Sequence, residues 1–385
     1  MKLIRNFTIF SIILVMFAST VHAQGLALTI DARAAVIMEA SSGEIIFEQN
    51  ADLRLPPASV TKVMTMLLIY EAIAQNRISW DDMVSTSEYA ASMGGSQIYL
   101  EPGEQQTVRD LTKSVVISSA NDASVALAEF ISGSEESFVD LMNKKAKALG
   151  MDDTSFRNSC GLDADGHFTT AKDIAIMSRE LITKYPEVKE FATTWMDTII
   201  HRTARGEEEF GLTNTNKLIK WYNGTTGLKT GSTSQALYCL SATATRNDMD
   251  LITVILAAPN PTARFQESMK MLDYGFANYK VVKGELPGAV LGSLPVRKGE
   301  RPEVFYMVES LVSNVTEKGN NSELEVQIVV PETVDAPINA GDIIGEIIYT
   351  YEGAEIGRSN LIAEEAIAKA GLLENLERIF NGWFK

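Results

Sequence analysis

Three short groups of residues along the 385-residue chain have the types and spacing that acyl-transfer chemistry needs. In the first, Ser59 and Lys62 form an S-x-x-K, and a spacing of three places both side chains on one face of a helix. A serine hydroxyl is a weak nucleophile until a base takes its proton, and a partly desolvated lysine can serve as that base. The positive field at a helix N-terminus also favours developing negative charge. The pair therefore predicts a serine nucleophile with a lysine base.

The second and third groups offer the remaining parts of such a site. Ser119 has a hydroxyl that can pass a proton to a leaving amine, and Asn121 has an amide that can donate to a substrate carbonyl. In Lys229-Thr230-Gly231, the first two residues offer a charge and a hydroxyl for a carboxylate, and the glycine allows close backbone approach. Each group alone is weak, because caps and turns use the same residues. In this order and together they are typical of penicillin-interacting serine enzymes.

The elements that must position these groups follow from hydrophobic periodicity. Strands and helices are expected over these ranges: a hairpin of Ala34–Met38 and Glu44–Phe47; a helix from Ser59; helical stretches Val108–Phe130 and Glu136–Leu149; a strand from Leu228; strands Ala236–Thr245 and Asp250–Ala257; and a helix Met269–Tyr279. Strands at both ends enclose a helical middle, which indicates an antiparallel sheet covered by helices, an α/β (α+β) fold. A parallel sheet would need strands and helices to alternate throughout.

Four segments are predicted along the chain. Residues 1–23 form a signal peptide, 24–279 the catalytic domain, 280–356 a small β-sandwich-like domain, and 357–385 an amphipathic helix. In the last segment an apolar stripe recurs at spacings of three and four, with charged residues opposite: Leu373, Leu376, Phe380 and Trp383. This helix either lies in a membrane interface or packs on its own β domain.

Composition limits the compartment and the partners. Lys2 and Arg5, an apolar run from Phe7 to Phe17 and Val21-His22-Ala23 are typical of an export signal, the alternative being an uncleaved anchor. A net charge of −16 argues against nucleic acid. Cys160 and Cys239 are expected to be buried apolar residues, with a disulfide as the alternative.

The two histidines that follow the predicted signal peptide suggest no metal site. His167 and His201 are not at metal-ligand spacing, so no metal is expected. His167 is placed in a loop bordering the active site, and His201 on a surface strand. A Ser-His-Asp enzyme is also disfavoured, since the chain has no G-x-S-x-G.

Longer stretches of the sequence, which include the three groups, resemble a known protein family. The chain resembles the low-molecular-mass penicillin-binding proteins, and within them the D-alanyl-D-alanine carboxypeptidases of the S11 peptidase group. The stretches that carry this resemblance are Pro57–Lys62, Ser119–Ala123, Thr226–Gly231, Gly161-Leu162-Asp163, Gly166-His167, Thr169–Ala171 and Asn214–Leu218. The resemblance implies a serine β-lactamase/transpeptidase-like domain and peptidoglycan stem peptides as substrates. It also implies β-lactams as covalent inhibitors and a C-terminal helix at the outer face of the cytoplasmic membrane.

The same resemblance assigns the site. Ser59, Lys62 and Ser119 would be catalytic, and Asn121 and the Lys229-Thr230-Gly231-Ser232 segment would bind substrate, with the N–H groups of Ser59 and Ser232 around the oxyanion. No cofactor is needed. Asp163 is a secondary candidate that would orient water or Lys229, or else a turn residue. At two positions this chain departs from the family pattern, and both departures weaken the expected recognition of the substrate's terminal carboxylate. Some relatives have Arg where this chain has Thr215, and others have His where it has Ser232.

Three other functions share these motifs. A class A β-lactamase typically has an E-x-x-x-N between the second and third groups, and here no Glu between Asn121 and Lys229 has Asn four residues later. A D,D-endopeptidase acting on cross-links stays open. A non-catalytic wall-binding protein would be expected to have a damaged motif, whereas all three are intact.

Overall fold

A computed structural model describes residues 28–203 and 206–371 of the chain. The predicted signal peptide and the apolar stripe of the tail lie outside these residues. Within them, no helix is long and apolar enough to cross a membrane.

The first domain combines one main antiparallel sheet with helices. In chain order its elements are β1 (Ala34–Glu39), β2 (Ile45–Gln49), a short 3-10 helix (Ala58–Thr61), α1 (Lys62–Ala74), β3 (Met83–Ser85), α2 (Glu88–Ala91), β4 (Gln105–Thr107), α3 (Val108–Ile117), α4 (Asn121–Ser132), α5 (Glu135–Ala148), α6 (Ala171–Lys184), α7 (Val188–Ala192), β5 (Met196–Thr203), β6 (Gly206–Thr213), α8 (Leu218–Trp221), β7 (Thr225–Thr233), β8 (Leu237–Arg246), β9 (Met249–Ala258) and α9 (Ala263–Asn278). The five-stranded sheet has the order β2-β1-β9-β8-β7, and every neighbouring pair is antiparallel.

Both faces of the sheet are covered, which explains why its central strands are apolar at nearly every position. On β1, Ala35 and Ile37 pack in the same cluster as α9, while Val36 packs in the cluster that contains α1 and α6. Strand β7 is the last strand of the sheet, so one of its edges is not paired with another strand of the described sheet. The predicted antiparallel sheet covered by helices is confirmed.

The predicted helix Val108–Phe130 is two helices, α3 and α4. Ser119, between them, has a φ of 62°, which no α-helix accommodates. Apolar residues continue at helical spacing through the break, so periodicity alone did not reveal it. The break lifts Ser119 out of regular structure and makes Asn121 the first residue of α4.

The second domain is all β. Its strands are β10 (Tyr279–Lys283), β11 (Val290–Arg297), β12 (Glu303–Val308), β13 (Ser313–Glu317), β14 (Leu324–Val329), β15 (Val334–Asp335), β16 (Ile343–Tyr351) and β17 (Ala354–Ala363). Six of them form one sheet in the order β14-β16-β17-β12-β11-β15, and β10 pairs with β13. The prediction of a separate all-β domain is confirmed.

The predicted start of the C-terminal helix, at residue 357, is wrong. Residues 357–363 belong to β17, whose last residues pair with β12. Ile367 then bridges to Ile338 and is fully buried in the core of this domain. The alternation of buried Leu361 and Ala363 with Ile362 between them fits a strand of a half-buried sheet, so the β domain extends beyond residue 356.

Candidate active site

Ser59 lies in the 3-10 helix that leads into α1, and its side chain is partly exposed. The preceding residue, Ala58, has a φ of 49°, an uncommon conformation for a residue with a side chain. Gly161 packs against this turn so closely that a Cβ there would lie 1.9 Å from the Ala58 carbonyl oxygen. The turn that presents Ser59 is therefore fixed by a glycine about one hundred residues away in the chain.

The Lys62 ammonium group lies at the centre of the site and is fully buried. Its Nζ donates to Ser59 Oγ at 3.2 Å, to Asn121 Oδ1 at 2.6 Å and to the Cys160 carbonyl oxygen at 2.7 Å. Burial lowers the pKa of Lys62 to about 8, with a smaller opposing contribution from the charge of Asp122. At pH 7 about a tenth of such lysines are neutral, against less than a thousandth at the ordinary pKa. A lysine in this state, in contact with the Ser59 hydroxyl, can act as a base at neutral pH.

The junction between α3 and α4 supplies the second group of residues. Ser119 is almost fully buried, and Asn121 joins Lys62 through Oδ1 while its Nδ2 donates to the Gly94 carbonyl at 2.7 Å. The adjacent Asp122 carboxylate accepts from the backbone N–H groups of Ile98 and Leu100, so it holds the loop that follows Gly94. The amide of Asn121 is therefore fixed in orientation from both sides.

The third group lies on β7. Thr230 Oγ1 donates to Thr215 Oγ1 at 2.6 Å, and Lys229 Nζ donates to the Thr230 carbonyl at 3.2 Å. Burial, with the nearby positive charges of Lys62 and Arg264, lowers the pKa of Lys229 well below its ordinary value. Two buried lysines close together resist carrying two protons at once, which favours a neutral lysine in the site.

Gly231 sets how closely β7 approaches the nucleophile. A Cβ on this glycine would lie 2.9 Å from Val60 N and 3.0 Å from both Ser59 N and Pro57 O. Only a glycine lets the strand lie against this turn. The next residue, Ser232, is exposed at the same edge. Its backbone is therefore close to the Ser59 N–H, where an oxyanion hole would form.

Asp163 is tied to the end of β7. Its Oδ1 accepts from Thr233 Oγ1 at 2.7 Å, so it joins the loop after Cys160 to the strand that carries Lys229. The geometry indicates a positioning residue. A direct contact with Lys229, one of the alternative roles considered for Asp163 from the sequence, does not appear among the hydrogen bonds of the described residues.

Three contributions escaped the sequence analysis. The carbonyl of Cys160 accepts from Lys62, and the Gly94 carbonyl accepts from Asn121; a backbone carbonyl leaves no sequence signal. Arg264, in the first turn of α9, donates to the Gly231 carbonyl at 2.9 Å. It belongs to no motif, and only the tertiary fold brings it to β7.

The cysteines and histidines lie outside the proposed chemistry. Cys160 and Cys239 are buried free cysteines, as the sequence analysis predicted in preference to a disulfide. His167 borders the site, as predicted: it is hydrogen-bonded to Thr61 at 2.9 Å, and burial lowers its pKa to about 4. His201 does lie on the hairpin strand β5, but its imidazole is buried rather than on the surface. Among the described residues, no group of three or more His, Cys, Asp or Glu is placed to hold a metal ion.

Comparison with known proteins agrees with this geometry. The family model for D-alanyl-D-alanine carboxypeptidase matches residues 18–260, and that for the penicillin-binding protein 5 C-terminal domain matches residues 279–369. The chain belongs to the D-alanyl-D-alanine carboxypeptidase family. It is 42% identical to the D-alanyl-D-alanine carboxypeptidase DacF of Bacillus subtilis, over 92% of this chain and 90% of that protein. The chain is therefore a serine hydrolase with D-alanyl-D-alanine carboxypeptidase activity.

Two further relatives cover both domains. The DacC carboxypeptidase of Escherichia coli is 35% identical over 100% of this chain and 98% of its own length. The crystal structure of penicillin-binding protein 5 from Haemophilus influenzae superposes with a TM-score of 0.72 at 32% identity, covering 89% of this chain and 98% of that chain. The family likeness thus extends to the β domain as well as to the catalytic domain.

Proposed function

We propose that this carboxypeptidase removes the terminal D-alanine of peptidoglycan stem peptides through an acyl-enzyme on Ser59. The observation that carries the proposal is the hydrogen bond from Lys62 Nζ to Ser59 Oγ, made by a buried lysine whose pKa is lowered to about 8. A lysine in this state is a base near neutral pH. Once neutral, Lys62 can keep donating to Asn121 Oδ1 and the Cys160 carbonyl and accept from the Ser59 hydroxyl.

The first step is acylation. Neutral Lys62 takes the Ser59 proton as Oγ bonds to the carbonyl carbon between the two D-alanines. The backbone N–H groups of Ser59 and Ser232 donate to the resulting oxyanion. The bond from carbon to nitrogen then breaks, and the proton held at Lys62 passes through the Ser119 hydroxyl to the departing amine of D-alanine. The peptide remains as an ester on Ser59.

The second step is hydrolysis of that ester. Water loses a proton to the same base and attacks the ester carbonyl, and Ser59 Oγ leaves with a proton. Substrate is positioned by Asn121 and by the edge of β7 that pairs with no other strand of the described sheet, along which an extended peptide can add as a further strand. Thr230 offers a hydroxyl and Lys229 an N–H donor in the region of the terminal carboxylate. A β-lactam would acylate Ser59 in the same way and stall as the ester.

Release of D-alanine tests this proposal. The purified enzyme is incubated with a pentapeptide ending in D-Ala–D-Ala, and free D-alanine is measured, with Ser59→Ala as the control. We expect release from the enzyme and none above background from the variant. Cleavage of a cross-linked dimer peptide without D-alanine release would instead favour the endopeptidase.

We also propose that the chain is exported to the cell envelope, which its signal-like N-terminal sequence and its family membership support. We propose in addition that residues 372–385 bind the outer face of the cytoplasmic membrane, because their sequence alternates apolar and charged residues at helical spacing. Cosedimentation with anionic vesicles, comparing the full chain with a chain ending at residue 371, tests this. Equal cosedimentation of the two would contradict it.

A further inference from the structure

Two backbone carbonyls orient the Lys62–Asn121 pair in the active site. The Cys160 carbonyl accepts from Lys62 Nζ at 2.7 Å, and the Gly94 carbonyl accepts from Asn121 Nδ2 at 2.7 Å. Both carbonyls lie in segments that form neither helix nor strand. A carbonyl in such a segment keeps its direction only when other contacts fix the segment, so we looked for the side chains that make those contacts.

The Glu135 carboxylate holds the first of these segments. Glu135 Oε1 accepts from the Ser159 backbone N–H at 2.9 Å and from Ser159 Oγ at 2.7 Å. Ser159 is fully buried and immediately precedes Cys160. Hydrogen bonds to an ionised acceptor are about twice as strong as those between neutral groups. With both the backbone and the hydroxyl of Ser159 held, the Cys160 carbonyl has little freedom to turn away from Lys62.

The second oxygen of the same carboxylate holds the other segment. Glu135 Oε2 accepts from the Tyr89 hydroxyl at 2.8 Å. The Tyr89 carbonyl accepts from the Ser92 N–H at 3.1 Å and from Ser92 Oγ at 2.7 Å, so the turn that ends α2 is built on Tyr89. Gly94 follows two residues later. Glu135 therefore holds the loop before Gly94, whereas Asp122 holds it after Gly94.

Small movements of this loop would reach Asn121. A Cβ on Gly95 would lie 2.8 Å from Asn121 Nδ2, so the loop backbone already lies against the amide. The backbone N–H of Asn121 also donates to the Ser96 carbonyl at 2.7 Å. Because a hydrogen bond weakens steeply as its donor and acceptor lose alignment, a shift of the loop would turn the amide that contacts Lys62.

We propose that Glu135 is a positioning residue for the acyl-transfer site. Its one carboxylate ties the Cys160 segment to the Gly94 segment, and through their carbonyls it keeps Lys62 and Asn121 aligned. Among the described residues Glu135 has no hydrogen bond to either of those two side chains, and it belongs to none of the three motif groups. The inference rests on the proposed function, because Glu135 acts through residues to which that proposal gives their roles.

The neighbouring residue Glu136 provides a matched control. Glu135 is the first residue of α5, and Glu136 follows it in the same turn, where a carboxylate stabilises a helix through the positive field of its N-terminus. The hydrogen bonds to Ser159 and Tyr89 are made by Glu135 and not by Glu136, which is exposed. Replacing Glu136 therefore removes a carboxylate from the helix N-terminus and leaves the two segments tied together.

Rates of acylation by a fluorescent penicillin and of D-alanine release test the proposal. Glu135→Ala should slow both by about tenfold, because misplacement of reacting groups by about 1 Å can cost about a hundredfold. Glu136→Ala should leave both rates unchanged. Glu135→Gln should recover most of the loss, since its amide oxygen still accepts from Ser159 and its amide nitrogen can donate to the Tyr89 hydroxyl.

Tyr89→Phe tests the second half of the bridge. It removes one hydroxyl from a side chain that is half exposed, and it should slow acylation by about threefold in the unaltered enzyme. In the Glu135→Ala background the same substitution should have no further effect, because the hydroxyl has already lost its acceptor. A thermal midpoint is measured for every variant, so that rates are compared only between folded proteins.

The outcomes separate this inference from the proposed function. A folded Glu135→Ala variant as fast as the unaltered enzyme would overturn the positioning role. Equal slowing by Glu135→Ala and Glu136→Ala would do so too, as would a Glu135→Gln variant as slow as Glu135→Ala. If Glu135→Ala does not fold, Tyr89→Phe decides, and an unchanged acylation rate would overturn the bridge. An unaltered enzyme that neither reacts with the penicillin nor releases D-alanine would refute the proposed function, and this inference with it.

Discussion

Gly231→Ala should separate the nucleophile from the strand that binds substrate. The added Cβ would lie 2.9 Å from Val60 N and 3.0 Å from Ser59 N and Pro57 O, where ordinary contacts are 3.4–4 Å. All three atoms are backbone, so no side chain can rotate away. Strand β7 and the Ser59 turn must therefore part by about 0.5 Å, and misplacement near 1 Å can cost about a hundredfold in rate. We expect acylation to slow by about tenfold to a hundredfold.

Stopped-flow measurement of the second-order acylation rate with a fluorescent penicillin gives this quantity directly. The thermal midpoint is measured in parallel, because overpacking costs about 1–3 kcal/mol of stability and must not unfold the protein. Gly211→Ala is the matched control, since a Cβ at this other strand glycine meets nothing within 4 Å. An acylation rate for folded Gly231→Ala within twofold of the unaltered enzyme would refute the idea that this close approach assembles the site.

Three other perturbations follow from the same geometry. The acylation rate of the unaltered enzyme should rise with pH through about 8 as Lys62 loses its proton. Lys62→Gln should lower that rate by about 10²–10⁴ and remove its rise with pH. A flat pH profile in the unaltered enzyme would contradict the role of Lys62. Gly161→Ala should lower the thermal midpoint and slow acylation together, because φ is +88° and the Cβ would meet the Ala58 carbonyl; an unchanged midpoint would count against this packing. His167 is neutral in the folded protein because its pKa there is near 4. The free energy of unfolding should therefore fall by up to about 3 kcal/mol as pH drops from about 6.5 to about 4. In denaturant titrations a His167→Gln variant should lack this part of the decline.

Local patterns predicted much of this fold. The strands predicted over Ala236–Thr245 and Asp250–Ala257 are β8 and β9, each shifted by a single residue at its ends. These features depend on residues that are neighbours in sequence, and turn chemistry or periodicity records them. The three motif groups could be found for the same reason, since each is compact in the chain.

Long-range packing decided what the sequence did not predict. The break at Ser119 interrupts a continuous apolar pattern, and no helix begins at residue 357 because β12 and β16 pair with β17. The burial of His201 depends on Glu104, which lies 97 residues earlier in the chain. No local rule links such residues, so their partnership becomes visible only in the folded chain.

The central claim is that Ser59 carries the acyl group. The most direct measurement is mass mapping of the peptide labelled by a penicillin, with the site of the adduct read from fragment ions. We predict a single adduct on Ser59, formed more slowly as pH falls below the pKa of Lys62 near 8. An adduct on any other residue, or a Ser59→Ala variant that is labelled equally fast, would contradict the account.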